Sequence, residues 1–377
     1  MSSTLDPAII DKQQETMARD GLDAIVAMSI DNVTYTLGVT VPSQKLIRER
    51  RVVVLVPKEG APAVVCVTVE QGFLQANIDD DQIEIRPYDE HTETAMQVLS
   101  RLVAERGLGG GRLGLELDFM PAQDYEELRE RLPCAQFQDI APLYRQLRMV
   151  KTPREVERVR QASSIAEQAI QAAFDQASAG MTERELGMLI TQEFLSRGGD
   201  EMRLLIVGAG ERSSYPNAPP TNRVLQPGDI VKIDLLGTHD GYFSDCARTA
   251  VVGEPAAEHA RLYQRIVEIY EKILEQIRPG VSTRTLYAMY DRAAQSQGLQ
   301  PLRFLGHGLG LSVHEAPFID AHTDVALTPG MVMAIEPVHY VPHDVGLHVE
   351  DQLVITETGH EIFTHFMDTT RIYPIRD

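Results

Sequence analysis

Basic residues are in short supply: 35 lysines and arginines stand against 55 aspartates and glutamates, a net charge of −20. That sign disfavours nucleic acid, whose phosphates call for a basic face, and otherwise speaks mostly of solubility. Cysteine is scarcer still. Cys66, Cys134 and Cys246 are odd in number and lack metal-ligand spacing, which argues against a thiolate site and suits a reducing cytoplasm. No apolar run approaches the ~18 residues of a membrane span, and the amino terminus lacks the basic-plus-apolar pattern of a secretory signal. With no low-complexity tract and 43% hydrophobic residues, the 377-residue chain reads as a globular enzyme of two or three domains.

A repeat is present instead. Pro227-Gly228-Asp229-Ile230-Val231-Lys232-Ile233-Asp234 lines up with Pro329-Gly330-Met331-Val332-Met333-Ala334-Ile335-Glu336, a Pro-Gly turn and an apolar run ending on an acid each time. A second acid follows in each copy: Asp245 eleven residues after Asp234, and Glu350 fourteen after Glu336. Upstream, Gly180-Met181-Thr182-Glu183-Arg184-Glu185-Leu186 matches Gly280-Val281-Ser282-Thr283-Arg284-Thr285-Leu286 at a spacing of one hundred. Thr182 and Ser282 read as helix N-caps, with Glu185 completing a capping box in the first copy. Gly198 and Gly298 mark the helix stops. Residues from about 150 onward therefore read as two pseudo-equivalent αβ halves closing over a cleft.

A domain boundary falls near residue 148. In 1–147, strand-like runs at 51–55, 63–67 and 113–117 alternate with helical stretches such as 93–106, giving an α/β domain without a clustered site. Residues 148–377 open on a long helix from Thr152 to about residue 177, capped by Thr152 with Pro153 in its first turn. Ile165, Ala169, Ala172 and Ala173 form an apolar stripe expected in the core.

Four acids delivered in duplicate from β-structure are costly to bury together unless cations neutralise them. Between the second and third acid lies Gly306-His307-Gly308-Leu309-Gly310-Leu311-Ser312-Val313-His314-Glu315, with two histidines seven residues apart. Glycines beside a histidine suit backbone that approaches a metal or substrate closely. The expected ligands are Asp234, Asp245, His307, Glu336 and Glu350. Mostly hard oxygen, with one imidazole and no sulfur, the set suits Mn²⁺ first, then Co²⁺, Zn²⁺ or Fe²⁺. Two ions ~3.5–4 Å apart would use all five and hold a bridging hydroxide, the chemistry of amide hydrolysis. Cys246, next to Asp245, points to the other face of its strand. Arg248 and Thr249 read as buttresses, and His339 and His343 as loop residues.

These motifs, in order and spacing, make the chain resemble the pita-bread metallohydrolases, the group of prolidase, aminopeptidase P, methionine aminopeptidase and creatinase. Arg148-Met149-Val150-Lys151-Thr152-Pro153-Arg154-Glu155 resembles the segment joining the amino-terminal to the catalytic domain in the prolidase and creatinase branch. The resemblance implies a creatinase/prolidase-like amino-terminal domain, a pita-bread catalytic domain with a pseudo-twofold repeat, and a homodimer. It also implies that Asp245 and Glu350 bridge two divalent ions, with Asp234 on one and His307 and Glu336 on the other. His314 and His348 are the catalytic candidates; Asn217, Arg303 and His339 are the substrate-binding candidates.

Three positions depart from the family pattern. Asn217 stands where proline-specific members carry histidine, Arg303 where aminopeptidase P has histidine, and His348 where proline peptidases usually have arginine. Asn217 hydrogen-bonds but shuttles no proton near neutrality; His348 can titrate where arginine cannot. Two enzyme readings follow: an Xaa-Pro metallopeptidase, and a small-molecule C–N hydrolase or lyase favoured by the three departures. A catalytically dead binding module is the third, disfavoured by the complete ligand set. The substrate is accordingly a small peptide or a small-molecule amide.

Overall fold

The computed structural model describes residues 5–79 and 82–377, in two units, Met1–Leu147 and Arg148–Asp377. In the first, valine-rich runs with every residue buried make the central strands β2 (Val53–Pro57) and β3 (Ala63–Val67), as expected of strands covered on both faces. With β1 (Ala24–Ala27), β4 (Glu84–Tyr88), β5 (Arg112–Leu115) and β6 (Gln136–Asp139) they form, among the described residues, a mixed sheet of order β4-β3-β2-β1-β5-β6.

Two strand edges differ from the sequence-based expectation. The 51–55 run starts at Val53 because Arg51 is held outside the ladder by Tyr88 and Asp124. The 113–117 run stops at Leu115 because Glu116 turns inward to accept hydrogen bonds from Ser29 and Asn32. The helix expected at 93–106 is Ala95–Glu105, set by a Thr94/Gln97 capping box.

The second unit opens on the helix Pro153–Gln176, started by a Thr152/Glu155 capping box. Its core stripe is Val159, Ala162, Ala166, Ala169, Ile170, Ala173 and Phe174. Ile165 and Ala172, expected in that stripe, lie at its half-buried margin.

Beyond this helix the chain builds its fold twice. The first half carries β7 (Glu201–Ala209), β8 (Ile230–His239) and β9 (Tyr242–Val252), in a sheet of order β17-β9-β8-β7 with β17 (Tyr373–Ile375). The second carries β10 (Phe304–Gly308), β11 (Glu315–Asp320), β12 (Val332–Ile335), β15 (Asp351–Ile355) and β16 (His360–Ile362), in the order β11-β10-β12-β15-β16. A separate hairpin pairs β13 (Val338–Val341) with β14 (Val345–His348).

Backbone hydrogen bonds repeat with the sequence. Gly180 N–H donates to Leu225 O at 3.0 Å, and Gly280 N–H to Leu327 O at 2.8 Å. Leu225 N–H returns to Met181 O, as Leu327 N–H does to Val281 O. The turn glycines Gly228 and Gly330 sit at φ 85° and 88°, a region that only glycine enters freely. Each half has its own hydrophobic core. One gathers Phe174, Ile190, Phe194 and Ile233, the other Ile269, Tyr290, Leu305 and Leu353.

The copies diverge where their sequences do. Thr182 and Glu185 close the expected capping box. Ser282 caps by position alone: residue 285 is threonine, so no box can close, and the Ser282 hydroxyl donates to Asp324. Between the paired acids the first half makes a tight turn through Asp240 and Gly241, whereas the second inserts the β13–β14 hairpin. His339 therefore lies on a strand, correcting the loop expectation, while His343 occupies the turn at φ 62°. Among the described residues no helix is long and apolar enough to cross a membrane.

Candidate metal centre

Strand alternation puts the first two acids together. Asp234 pairs with Ala247 and Asp245 with Leu236 across β8 and β9, so both carboxylates leave the same face two positions apart. Cys246 leaves the opposite face and is fully buried in the core of the first half. From the second half, His307 sits on β10 opposite Ala334 of β12. Glu336 immediately follows β12 and Glu350 immediately precedes β15. Pairing of Ile335 with Asp351 brings those two strand ends side by side.

The five side chains converge. Potential ligand atoms of His307, Glu336 and Glu350 lie within 4.8 Å of one another, as do those of Asp234, His348 and Glu350, and those of Asp245, His307 and His314. Glu350 and His307 each belong to two of these groups, so the groups merge into one centre. His307 Nε2 is 3.1 Å from Glu336 Oε1 and 3.4 Å from Asp245 Oδ2.

Asp234 Oδ1, His307 Nε2, Glu336 Oε1 and both Glu350 carboxylate oxygens are buried without a hydrogen-bond partner. Buried polar atoms are ordinarily satisfied, so a cluster of aimed, orphaned donors fits divalent cations. Electrostatics agrees. Burial, then the charges of Asp245 and Glu336, push Asp234 and Glu350 well above the ordinary carboxylate range. Burial opposes protonation of His307, yet Asp245 and Glu336 raise it to about 10. Metal-free, the cluster must hold protons in place of cations.

The glycines around His307 have another cause than the one expected. A Cβ on Gly306 would stand 2.1 Å from Ala334 O, and one on Gly308 2.4 Å from Ala316 O. The close approach is to backbone of the flanking strands, so these glycines let β10 fit its sheet.

The remaining candidates distribute unevenly. His314 packs against His307 with ring centroids 3.9 Å apart and ring planes tilted by 34°. It also lines a pocket of 530 Å³ with Arg303, Tyr287, Phe304, Phe318 and Asp320. Burial, then the neighbouring His307, lower its pKa, so His314 is a neutral imidazole at neutral pH. His348 lies inside the centre, with Nε2 3.6 Å from Glu336 Oε2. Asn217 is exposed, on a segment whose Tyr215 and Pro216 carbonyls accept from Lys232 Nζ at 2.8 and 3.1 Å. Alternation along β13 turns Tyr340, rather than His339, toward Lys232, whose Nζ is 3.3 Å from the Tyr340 hydroxyl.

Sequence reasoning missed Lys232 and Tyr340. Lys232 is buried two residues before Asp234 on the same strand face, and an apolar run interrupted by one lysine was the available signal. It also missed Glu315, which fixes the loop bearing His314. Glu315 accepts from Arg148, from Lys151 at 3.0 Å and from the Ser312 N–H at 3.0 Å. Arg148 and Lys151 thus have a structural task in the segment that resembles the family's junction. Burial works against ionisation of Glu315, but Arg148 and Lys151 hold it at about 2.

An ordinary glutamate titrates near 4.3. The Glu315 clamp therefore contributes its full stability above about pH 4.5 and loses it as pH falls toward 2, on the order of 3 kcal/mol in all. The pH-dependent part of the acid-unfolding curve between pH 5 and 2 should shrink in Glu315→Gln; an identical slope in both proteins would contradict this.

Arg248, read as a buttress, is a junction between the halves. Its guanidinium donates to Glu167, to Asp351 Oδ1 at 2.7 Å and to the Glu350 carbonyl. Asp351 also accepts from Tyr270 and from the Thr364 hydroxyl at 2.6 Å. The backbone of Glu350 is held from behind while its carboxylate faces the centre.

An α/β amino-terminal unit followed in sequence by a duplicated αβ fold with a buried carboxylate–imidazole cluster defines a metallohydrolase of pita-bread architecture. Residues 157–357 match the model of metallopeptidase family M24, and residues 9–150 match the creatinase/prolidase N-terminal domain. The chain belongs to metallopeptidase family M24. It is 29% identical over 373 residues to an Xaa-Pro dipeptidase of Lactobacillus helveticus, covering 98% of this chain and 100% of that one. It is 31% identical over 242 residues to an Xaa-Pro dipeptidase of Pyrococcus furiosus, covering 63% of this chain and 70% of that protein. Among solved structures, an X-Pro aminopeptidase from Thermotoga maritima superimposes with a TM-score of 0.85 at 25% identity, over 97% of this chain and 99% of that one.

Proposed function

We propose that the protein is an Xaa-Pro dipeptidase. The observation that carries the reading is His314, which lines the pocket and packs against His307 of the carboxylate cluster. The peptidase names of the relatives support it over the small-molecule alternative.

Asp234, Asp245, His307, Glu336 and Glu350 would hold a pair of divalent ions. Once bound, such ions polarise the scissile carbonyl and supply the nucleophile from water near neutral pH. Phe304 and Phe318 offer an apolar wall for the proline ring. Arg303, exposed at the pocket, offers a fixed positive charge to the free carboxylate of a dipeptide. His314, neutral at working pH, holds or passes a proton through its ring. Asn217 and His339 are assigned to more distant substrate contacts. Manganese suits the oxygen-rich donors, three free cysteines suit the cytoplasm, and a homodimer is the assembly we infer from the family resemblance.

The test is turnover of Xaa-Pro dipeptides, Xaa-Pro-Yaa tripeptides and creatine-like amidines by protein loaded with Mn²⁺, Co²⁺ or Zn²⁺. Dipeptides should be cleaved fastest. Silence on every peptide, with an amidine consumed, would replace this reading by the small-molecule one. His314→Ala should retain its metal and lose about 10²-fold or more in kcat; loss of the metal instead would reassign the residue.

A further inference from the structure

We propose that His348 is itself a ligand of the metal centre, so that the cluster offers six donors, two of them imidazoles. The inference rests on the metal-centre reading above and deepens it.

The side chain of His348 is 4% exposed, and both ring nitrogens are buried without a hydrogen-bond partner. An imidazole so placed has lost water and gained nothing in exchange, which a fold ordinarily avoids. Its surroundings say what is missing. One ligand atom of His348 lies within 4.8 Å of those of Asp234 and Glu350, and Nε2 is 3.6 Å from Glu336 Oε2. Two donors each about 2.1 Å from a shared ion stand roughly 3 to 3.5 Å apart. The expected ligand His307 shows the same spacing to its own acids, 3.1 and 3.4 Å.

The ring is also aimed. His348 exchanges two 2.9 Å hydrogen bonds with the Thr249 hydroxyl, one through its N–H and one through its carbonyl. Thr249 lies on β9, the strand that carries Asp245. The backbone of His348 is thereby tied to the element bearing a ligand, with the ring directed into the cluster rather than to solvent.

Neither ring nitrogen makes the hydrogen bond through which a proton-transfer role would be set up. Charge counting favours ligation. Four carboxylates balance two divalent ions, and a neutral imidazole adds a donor without disturbing that balance. An arginine at this position could not coordinate at all. One imidazole on each side of the cluster raises the affinity for Co²⁺ and Zn²⁺ relative to Mn²⁺, since nitrogen donors follow that order.

Metal-stripped full-length protein should be titrated with Co²⁺ by calorimetry and visible absorption, as wild type, His348→Gln and His307→Gln. Wild type should take up two ions. His348→Gln should weaken one site by about 10- to 100-fold or more, change the cobalt spectrum, and lose less affinity for Mn²⁺ than for Co²⁺. Two sites of wild-type affinity and an unchanged spectrum in His348→Gln would overturn the proposal while leaving the centre intact. A wild type that binds no ion would sink the metal centre as a whole, and this assignment with it. Should the variant fail to fold, pulsed EPR of Mn²⁺-loaded wild type decides: nitrogen couplings from two imidazoles support the assignment, and those from one overturn it.

Discussion

Replacing Asp245 or Glu350 by alanine should abolish peptide turnover and lower the bound metal, while in Glu350→Ala the metal-free protein becomes harder to melt. The two effects share one cause. Asp234, Asp245, Glu336 and Glu350 crowd a buried space in which Asp234 and Glu350 are driven toward protonation by burial and by their neighbours' charge. Removing Glu350 relieves the burial of an acid forced to hold a proton when no cation is present, and removing either acid takes away a proposed donor when one is. Function and metal-free stability should move in opposite directions, as at other sites that hold strain for activity. The checks are metal analysis after dialysis, turnover of an Xaa-Pro dipeptide, and a thermal melt in chelator. Undiminished turnover in either variant would refute the assignment of that ligand.

Arg248→Met should be the most destabilising single change outside the ligands, by about 3–5 kcal/mol. Arg248 is 3% exposed and Glu167 fully buried, and both Glu167 and Asp351 depend on that guanidinium. Taking the cation away strands two carboxylates in a medium that cannot solvate them. Glu167→Gln in the same chain should restore part of the loss, because it removes one of the stranded charges. Denaturant midpoints of metal-free protein, followed by circular dichroism, measure both variants. A loss below about 1 kcal/mol for Arg248→Met would show that the network is dispensable.

The duplication was legible because it is written in turn chemistry: Pro-Gly before each acid-bearing strand and a capping residue one hundred positions before its copy. Period-two alternation placed Cys246 in the core and Asp245 in the cleft. What could not be read depends on partners distant in sequence. Glu315 looked like a residue beside a histidine until the chain folded Arg148 and Lys151 onto it. The glycines flanking His307 read in sequence as room for a ligand, whereas sheet packing against Ala334 and Ala316 requires them. His339 reads as a loop residue in sequence because a hairpin as short as β13–β14 leaves few residues in which alternation can show. Ser282 resembled Thr182, yet the missing glutamate three residues on left its hydroxyl free to seek Asp324.

Each half centres on its own hydrophobic core, with Ile230 and Val251 of the first half joining the core of the second, and the proposed cage draws on both: Asp234 and Asp245 from one, His307, Glu336 and Glu350 from the other. Cations held there would add a fastener to a seam that Arg248 and its carboxylate partners already bridge. Scarcity of metal in the surrounding medium would be felt first as loosening along that seam, before either core gives way.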